Sequence, residues 1–215
     1  MKTIQLASEA VVLHPEKALY WPREATLFVA DIHVGKVAAF RSAGVPLPPG
    51  STTAVLKRLS RVVNDTQAKR IVFLGDFLHS QAARAELTFA RFLEWREVHE
   101  HIKITLVRGN HDKHAGDPPA NWQIDCINEG EIAGPFCLAH HPAQSSNGYV
   151  LAGHIHPAIR LNGRANDSLR LACFWVGEHV MVLPAFGEFT GMHVVKPKVG
   201  DRIFVVADGA VVEVR

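Results

Sequence analysis

Only three of the 215 residues are cysteine, and no two of them are spaced CxxC. Cys137 (FCLA) and Cys173 (LACFW) sit in apolar stretches. With Cys126 they read as reduced thiols in or near the core, which points to a reducing compartment. Long hydrophobic runs are missing too. No stretch is long enough to span a bilayer, and the opening MKTIQLASEAVVLHPEK is interrupted by Gln5, Glu9 and His14 where a signal peptide keeps an apolar run. The expectation is a cytoplasmic protein with no membrane partner. Charge of one sign is scarce: Lys+Arg 23 against Asp+Glu 21 leaves a formal +2, with a pI near 8.5. That balance permits a nucleic-acid partner without requiring one, since a basic face must come from local clustering. No low-complexity tract or long linker divides the chain, so a single domain over residues 1–215 is expected.

Histidine is what the chain has in quantity: 13 residues, many in short clusters beside Asp, Asn and Gly. Several of these clusters follow short apolar runs. TLFVA, RIVFLG, IKITLVRG, PFCLAH and YVLAG read as strands buried on both faces of a helix-covered sheet. After the VPLPPGST punctuation (Val45 to Thr52), Val55, Leu56, Leu59, Val62 and Val63 recur at helical spacing, with Ser51 or Thr52 as cap. A second helix is expected over Arg84 to His99, with Leu87, Phe89, Phe92, Leu93 and Val98 as its apolar positions. The second half carries AIRL, RLACFWV, HVMVLP, RIFVVAD and AVVEV with no clear helix between them, so it reads as antiparallel or mixed. Together these predict an α/β fold, a βαβ sandwich in which two sheets pack together and helices cover the outside.

Each of the first five strands runs into metal-competent residues. They are Asp31-Ile32-His33, Gly75-Asp76-Phe77-Leu78-His79, Gly109-Asn110-His111-Asp112, His140-His141-Pro142 and Gly153-His154-Ile155-His156. Ligand sites of open α/β sheets lie beyond the carboxyl ends of the strands, so five strands side by side would bring these residues to one edge. Alternation along extended backbone would turn Asp31 with His33, and His154 with His156, to one side. The glycines before Asp76, Asn110 and His154 would let the backbone turn beneath the metals. Carboxylate, imidazole and a neutral Asn oxygen suit Mn²⁺, Fe²⁺, Zn²⁺ or Ni²⁺ better than the all-oxygen sites of Ca²⁺. Singly, D-x-H or G-D is ordinary turn chemistry; the ordered set of five points to a metal site.

The series D-x-H, G-D, G-N-H-D, H-x-P and G-H-x-H, from Leu27 to His156, resembles the calcineurin-like metallophosphoesterase superfamily. DIHVGK, GDFLHS, GNHD, AHHP, GHIHPAIRL and LPAFGEFTG look closest to the bacterial ligase-associated DNA-damage-response phosphoesterases. The resemblance implies the metallophosphoesterase fold, a four-layer βαβ sandwich of two mixed sheets flanked by helices. It also implies two divalent metal ions, commonly manganese, that hydrolyse phosphodiesters by a bridging hydroxide. DNA would be the substrate, in repair, with DNA ligase and helicase as partners. Carried over residue by residue, Asp31, His33 and His156 would hold one metal and Asn110, His140 and His154 the other, with Asp76 between them. His111 would lie above the metals, oriented by Asp112, and stabilise developing charge or protonate the leaving oxygen. The place after GDFL that is acidic in some branches holds His79 and Ser80 here, so the substrate preferences of those branches are not carried over. His79 is read either as a group reaching the phosphate or leaving group, or as a loop histidine.

Other residues have two readings each. His141 either supports His140 or packs under the Pro142 turn. Lys36 and Arg41 either grip a nucleic-acid backbone or are solvated helix charges. His14, His99, His101 and His179 read as structural or surface residues and His114 as exposed, while His193 has no assignment. The rival functions are a hydrolase of small phosphoesters or pyrophosphates, of nucleotide or UDP-lipid type, and a non-catalytic scaffold that kept the fold.

Overall fold

Four apolar segments at the N-terminus form an antiparallel meander: β1 (Lys2–Leu6), β2 (Glu9–His14), β3 (Ala18–Trp21) and β4 (Thr26–Val29). The computed structural model that shows this describes residues 1–47, 50–162 and 168–214. Pro48 and Pro49 of the VPLPPGST punctuation lie outside the described residues. β1 to β3 were not anticipated from the sequence. Their signal is a short alternation: Ile4 and Leu6, then Val11 and Leu13, are buried while Gln5, Ala10 and Val12 between and before them are not, and the buried His14 breaks the pattern at the end of β2.

After β4 the sheet grows by parallel crossovers. α1 (Lys36–Ser42) and α2 (Ser51–Thr66) lead to β5 (Arg70–Leu74). Then α3 (Glu86–Val98) leads to β6 (Lys103–Val107), and α4 (Asn110–Ala115) to β7 (Ile124–Ile127). The strand order follows the chain from β1 to β7. α2 buries the five residues its spacing predicts. Its cap is Gly50 in a left-handed conformation, not Ser51 or Thr52, and no side chain caps it. In α3 the expected face is wrong in part. Leu87 (69% exposed) and Val98 (73%) face out, while Thr88, Phe92, Trp95 and Arg96 are buried. Hydrogen bonds decide this: Trp95 Nε1 donates to Ser60 Oγ (2.9 Å), and Arg96 Nε donates to the Trp122 carbonyl (2.9 Å).

The second sheet is built from β8 (Glu131–Ala133), β9 (Phe136–Leu138), β10 (Tyr149–Ala152), β11 (Pro157–Asn162), β12 (Ser168–Val176), β13 (Val180–Val182), β14 (His193–Val194), β15 (Arg202–Ala207) and β16 (Ala210–Val214). Its order is β14-β11-β12-β13-β10-β9-β8, with β15 on β12 and β16 on β15. Both sheets are mixed, and the α/β metallophosphoesterase architecture of two mixed sheets with flanking helices is as expected. Among the described residues no α-helix follows Ala115.

The near-continuous apolar strands bury both faces. Leu27, Val29, Ile71 and Phe73 pack with α2 and α3 residues such as Leu59, Val62 and Phe92. Phe28, Ala30, Val72 and Leu74 turn the other way and meet Phe136, Leu138, Leu151 and Phe174 of the second sheet. Each such side chain contributes about 1.5–3 kcal/mol by leaving water. The expectation that the five motif-bearing strands lie side by side in one sheet is therefore not met. β4, β5 and β6 belong to the first sheet, and β9 and β10 to the second. Face-to-face packing of the sheets still brings all five carboxyl ends to a common rim. No helix among the described residues is long and apolar enough to cross a membrane.

Candidate metal centre

The loop after β4 runs alongside the loop after β5 and extends their pairing past the strand ends. Asp31 N–H donates to the Gly75 carbonyl (3.3 Å), His33 N–H to that of Asp76 (3.0 Å) and Val34 N–H to that of Phe77 (2.7 Å). The late LPAFGEF segment closes from the other side, with Phe186 N–H on the Ala30 carbonyl (2.9 Å) and Gly187 N–H on that of Asp31 (3.0 Å). Within this frame the backbone is left-handed at Asp31 (φ 52°), His33 (48°), Asp76 (51°), His154 (70°) and His156 (53°). The extended alternation expected for Asp31/His33 and His154/His156 is therefore not what aims these side chains. They project from strained turns, each costing about 1–3 kcal/mol and held by its surroundings.

The glycines in these motifs mostly provide space, where turning freedom was expected. A Cβ on Gly109 would collide with the Asp76 carboxylate and stand 2.5 Å from its backbone N. One on Gly153 would stand 2.5 Å from Asp31 Oδ2. Gly75 alone combines a positive φ (82°) with a side that the His140 ring fills.

All seven predicted ligands meet. The ligand-capable atoms of Asp31, His33 and His156 lie within 4.8 Å of one another, as do those of Asp31, Asp76 and His140. Asn110 Oδ1 is 2.9 Å from His140 Nε2, which is 3.1 Å from His154 Nδ1. Asp76 reaches both groups, 3.3 Å from His140 Nε2 and 4.0 Å from His33 Nε2. Asp31 also accepts the His154 N–H (2.9 Å). Asp31, Asp76, His33 and His140 are buried. Burial, followed by the charge of Lys36 and neighbouring histidines, holds the His33 imidazole far below its usual range and therefore neutral. Burial and His140 likewise lower His154. At His156 burial works against the charge, but Asp31, 3.4 Å from Nε2, outweighs it, and the pKa rises.

Both ring nitrogens of His33 and Nε2 of His156 are buried without a hydrogen-bond partner. Nε2 of His156 faces Asp31 as an ion-pair contact without hydrogen-bond alignment. Unpaired buried imidazole nitrogens beside buried carboxylates are costly unless a cation completes them. The donor set of imidazoles, carboxylates and one amide oxygen fits divalent transition metals.

Around this centre the structure corrects and extends the sequence reading. Asp112 does not orient His111. Its buried carboxylate accepts the N–H groups of Leu78 (2.9 Å), Phe77 (3.0 Å) and Gly109 (3.0 Å) and ties the Asp76 loop to the Asn110 loop. Burial raises its pKa against the pull of those amides. The His111 ring is held instead by the His79 carbonyl, which accepts from Nδ1 at 2.6 Å, and Nε2 lies 3.9 Å from Asp76 Oδ2. His79 stacks on His111 (centroids 4.9 Å, planes 23° apart) and is pushed down to about 4 by burial, then by Lys36 and His111. Lys36 is half-buried, and burial outweighs the attraction of Asp76 and Asp31 to lower its pKa. A solvated helix charge does not describe it; Arg41 stays exposed on the same helix. His141 Nδ1 contacts Glu129 Oε1 (2.9 Å), which also accepts the His140 and His141 amides (2.8 and 2.7 Å). Glu129 went unnoticed in the sequence, where it stands in an exposed-looking turn with no motif around it.

Two mixed sheets carrying such clusters at their common rim are the architecture of a metallophosphoesterase. The chain belongs to the calcineurin-like phosphoesterase family, whose model matches residues 25–163, and it is a metal-dependent phosphoesterase. It is similar over 99% of both chains to the crystal structure of the Pseudomonas putida nuclease MPE, with 40% identity and a TM-score of 0.88. The YfcE phosphoesterase from E. coli is similar at 14% identity over 88% of this chain and 97% of that one, with a TM-score of 0.41. No curated protein sequence matches the chain.

Proposed function

We propose that this chain is a DNA nuclease that hydrolyses phosphodiesters with two divalent cations. Asp31, His33 and His156 would hold one and Asn110, His140 and His154 the other, with Asp76 within reach of both groups. The observation that carries this reading is the buried rim where unpaired imidazole nitrogens of His33 and His156 meet the carboxylates of Asp31 and Asp76. The 40% identical protein from Pseudomonas putida, named a nuclease, supports a nucleic-acid substrate, and the resemblance to the DNA-damage-response phosphoesterases makes DNA the nucleic acid proposed. Manganese is the ion that the family resemblance implies, and the mixed set of imidazoles, carboxylates and an amide oxygen also fits iron, zinc and nickel. A cation pair of this kind supplies, when bound, a water acidified toward a pKa of about 7 and a positive field for the phosphate.

The chain's own groups do the rest. With only two carboxylates among the seven ligands, and a neutral amide at Asn110, the centre stays attractive to an anion. The Lys36 ammonium adds to that field. His111, fixed through Nδ1 on the His79 carbonyl, keeps Nε2 toward the centre to hand a proton to the departing oxygen. His79 braces that ring by stacking and takes part in positioning a diester. Within a repair system, DNA ligase and helicase are the partners that fit this activity.

The test is a hydrolysis screen of metal-stripped protein with added Mn²⁺, Mg²⁺ or neither. The substrates are bis-p-nitrophenyl phosphate, p-nitrophenyl phosphate, cyclic nucleotides and DNA. Cleavage of DNA and of the diester, restored by Mn²⁺ better than Mg²⁺, is expected. Full activity in excess EDTA after prolonged dialysis rules out the two-metal reading. Activity confined to small phosphoesters rules out the nuclease.

A further inference from the structure

Beside the metal centre lies a groove of about 390 Å³ lined by His154, Ile155, Trp175, His193, Val195 and Lys196. That volume falls in the roughly 300–1,000 Å³ range of sites for small organic groups. His154 belongs to both the groove and the candidate metal cluster, so a group that enters the groove lies next to that centre. The far wall is fixed to the centre as well. His193 N–H donates to the carbonyl of His156 (3.0 Å), and Val195 N–H to that of Ala158 (2.9 Å).

Trp175 is the unusual member. Trp21, Trp95 and Trp122 are buried, and Trp175 is the one tryptophan of the four that stays half-exposed. Its Nε1 donates to Asp201 Oδ2 (2.8 Å), an oxygen that also accepts the Lys198 N–H (2.8 Å). Its ring packs with Cys173, Val195, Ile203 and Val205. The indole is thus held in one orientation with its polar group already satisfied, and what it offers a ligand is a flat aromatic surface. Lys196 and His193 are exposed beside it. An aromatic plane with a cation next to it, adjoining a phosphate site, matches a planar base joined to a phosphate.

From this geometry we infer that the groove is a nucleobase subsite: Trp175 stacks on the base of a nucleotide flanking the scissile phosphate, and Lys196 takes the next phosphate along. The inference rests on the nuclease reading and adds to it a positioning element outside the metal ligands. Phosphate contacts fix the backbone, and a stacked base fixes which phosphate stands over the metals.

Because the other tryptophans are buried, quenching of intrinsic fluorescence reports on Trp175. EDTA-treated protein is titrated with an oligothymidylate and with an abasic deoxyribose-phosphate chain of equal length. Quenching by the first and not the second is expected, and it should vanish in Trp175→Phe. In Mn²⁺, Trp175→Ala should raise KM for the oligothymidylate roughly 5- to 150-fold, the worth of one base–aromatic stack, with kcat little changed. Trp175→Phe should recover most of that loss and guards against a folding defect in the alanine variant. Equal quenching by the abasic chain, or normal DNA cleavage with unchanged KM in Trp175→Ala, overturns the subsite and leaves the nuclease reading standing. A wild-type protein that cleaves bis-p-nitrophenyl phosphate but no DNA overturns both.

Discussion

Replacing Asp112 separates its structural role from a chemical one. The carboxylate takes three N–H groups, from Phe77, Leu78 and Gly109, at 2.9–3.0 Å in the buried joint between the Asp76 and Asn110 loops. Asp112→Ala leaves those donors without partners, at about 1–3 kcal/mol each. Even the lower bound of ~3 kcal/mol is a large share of the 5–15 kcal/mol that stabilises a typical domain. At ~2–4 °C per kcal/mol for a chain of this size, the melting temperature should fall by ~6–12 °C or more. Asp112→Asn should fall between: its oxygen serves Phe77 and Leu78, but its NH₂ faces the Gly109 N–H, a donor against a donor. The measurement is thermal unfolding in EDTA, followed by kcat and KM at saturating Mn²⁺. Activity should drop in step with stability, because Asp76 and Asn110 sit on the loops that Asp112 joins. An alanine variant with the wild-type melting temperature and a pure kcat loss would refute this reasoning and restore a role in orienting His111.

Three further outcomes follow from the geometry. Gly109→Ala places a Cβ against Asp76, so bound metal should fall below two per chain and kcat by about a hundredfold, the cost of an ångström-scale misplacement, with the fold intact by circular dichroism; unchanged metal content would show that the loop yields. His79→Ala should lower kcat/KM for bis-p-nitrophenyl phosphate by roughly 10- to 1,000-fold and for the monoester less, and equal losses would reduce His79 to a packing residue. His14 and His99 have pKa values lowered from 6.5, first by burial, so the unfolded chain binds more protons just below that pH. Their contribution to stability is present above pH 6.5 and is lost as the pH falls toward their folded values. The melting temperature of metal-free protein should therefore decline from pH 7 to pH 5, less steeply in His99→Gln, and a flat profile would contradict the burial argument.

Much of the site was legible from residue order. Each of the five metal-competent motifs follows an apolar run, and burial on both faces makes such runs readable without an alignment. The same local logic located α2, whose stripe from Val55 to Val63 is buried as spaced. It failed in α3, where Trp95 and Arg96 are drawn inward by partners at Ser60 and Trp122, 35 and 26 residues away. It missed β1 to β3, whose alternation is short and whose burial depends on the second sheet.

The sequence alone determined which segments meet: the five motifs were identifiable because ligand chemistry belongs to residue type and strand ends belong to periodicity, both local properties, and within them the family resemblance singled out Asp31, His33, Asp76, Asn110, His140, His154 and His156. Tertiary structure decided how they meet. The left-handed turns that aim five of them are stabilised by amides and carbonyls of neighbouring loops. The clamp by Asp112 joins residues more than 30 positions apart, and the groove at Trp175 arises where β14 docks on His156. Hydrogen bonds between distant loops leave no periodic trace in the chain, and only the packing of the two sheets against each other brings their partners within reach.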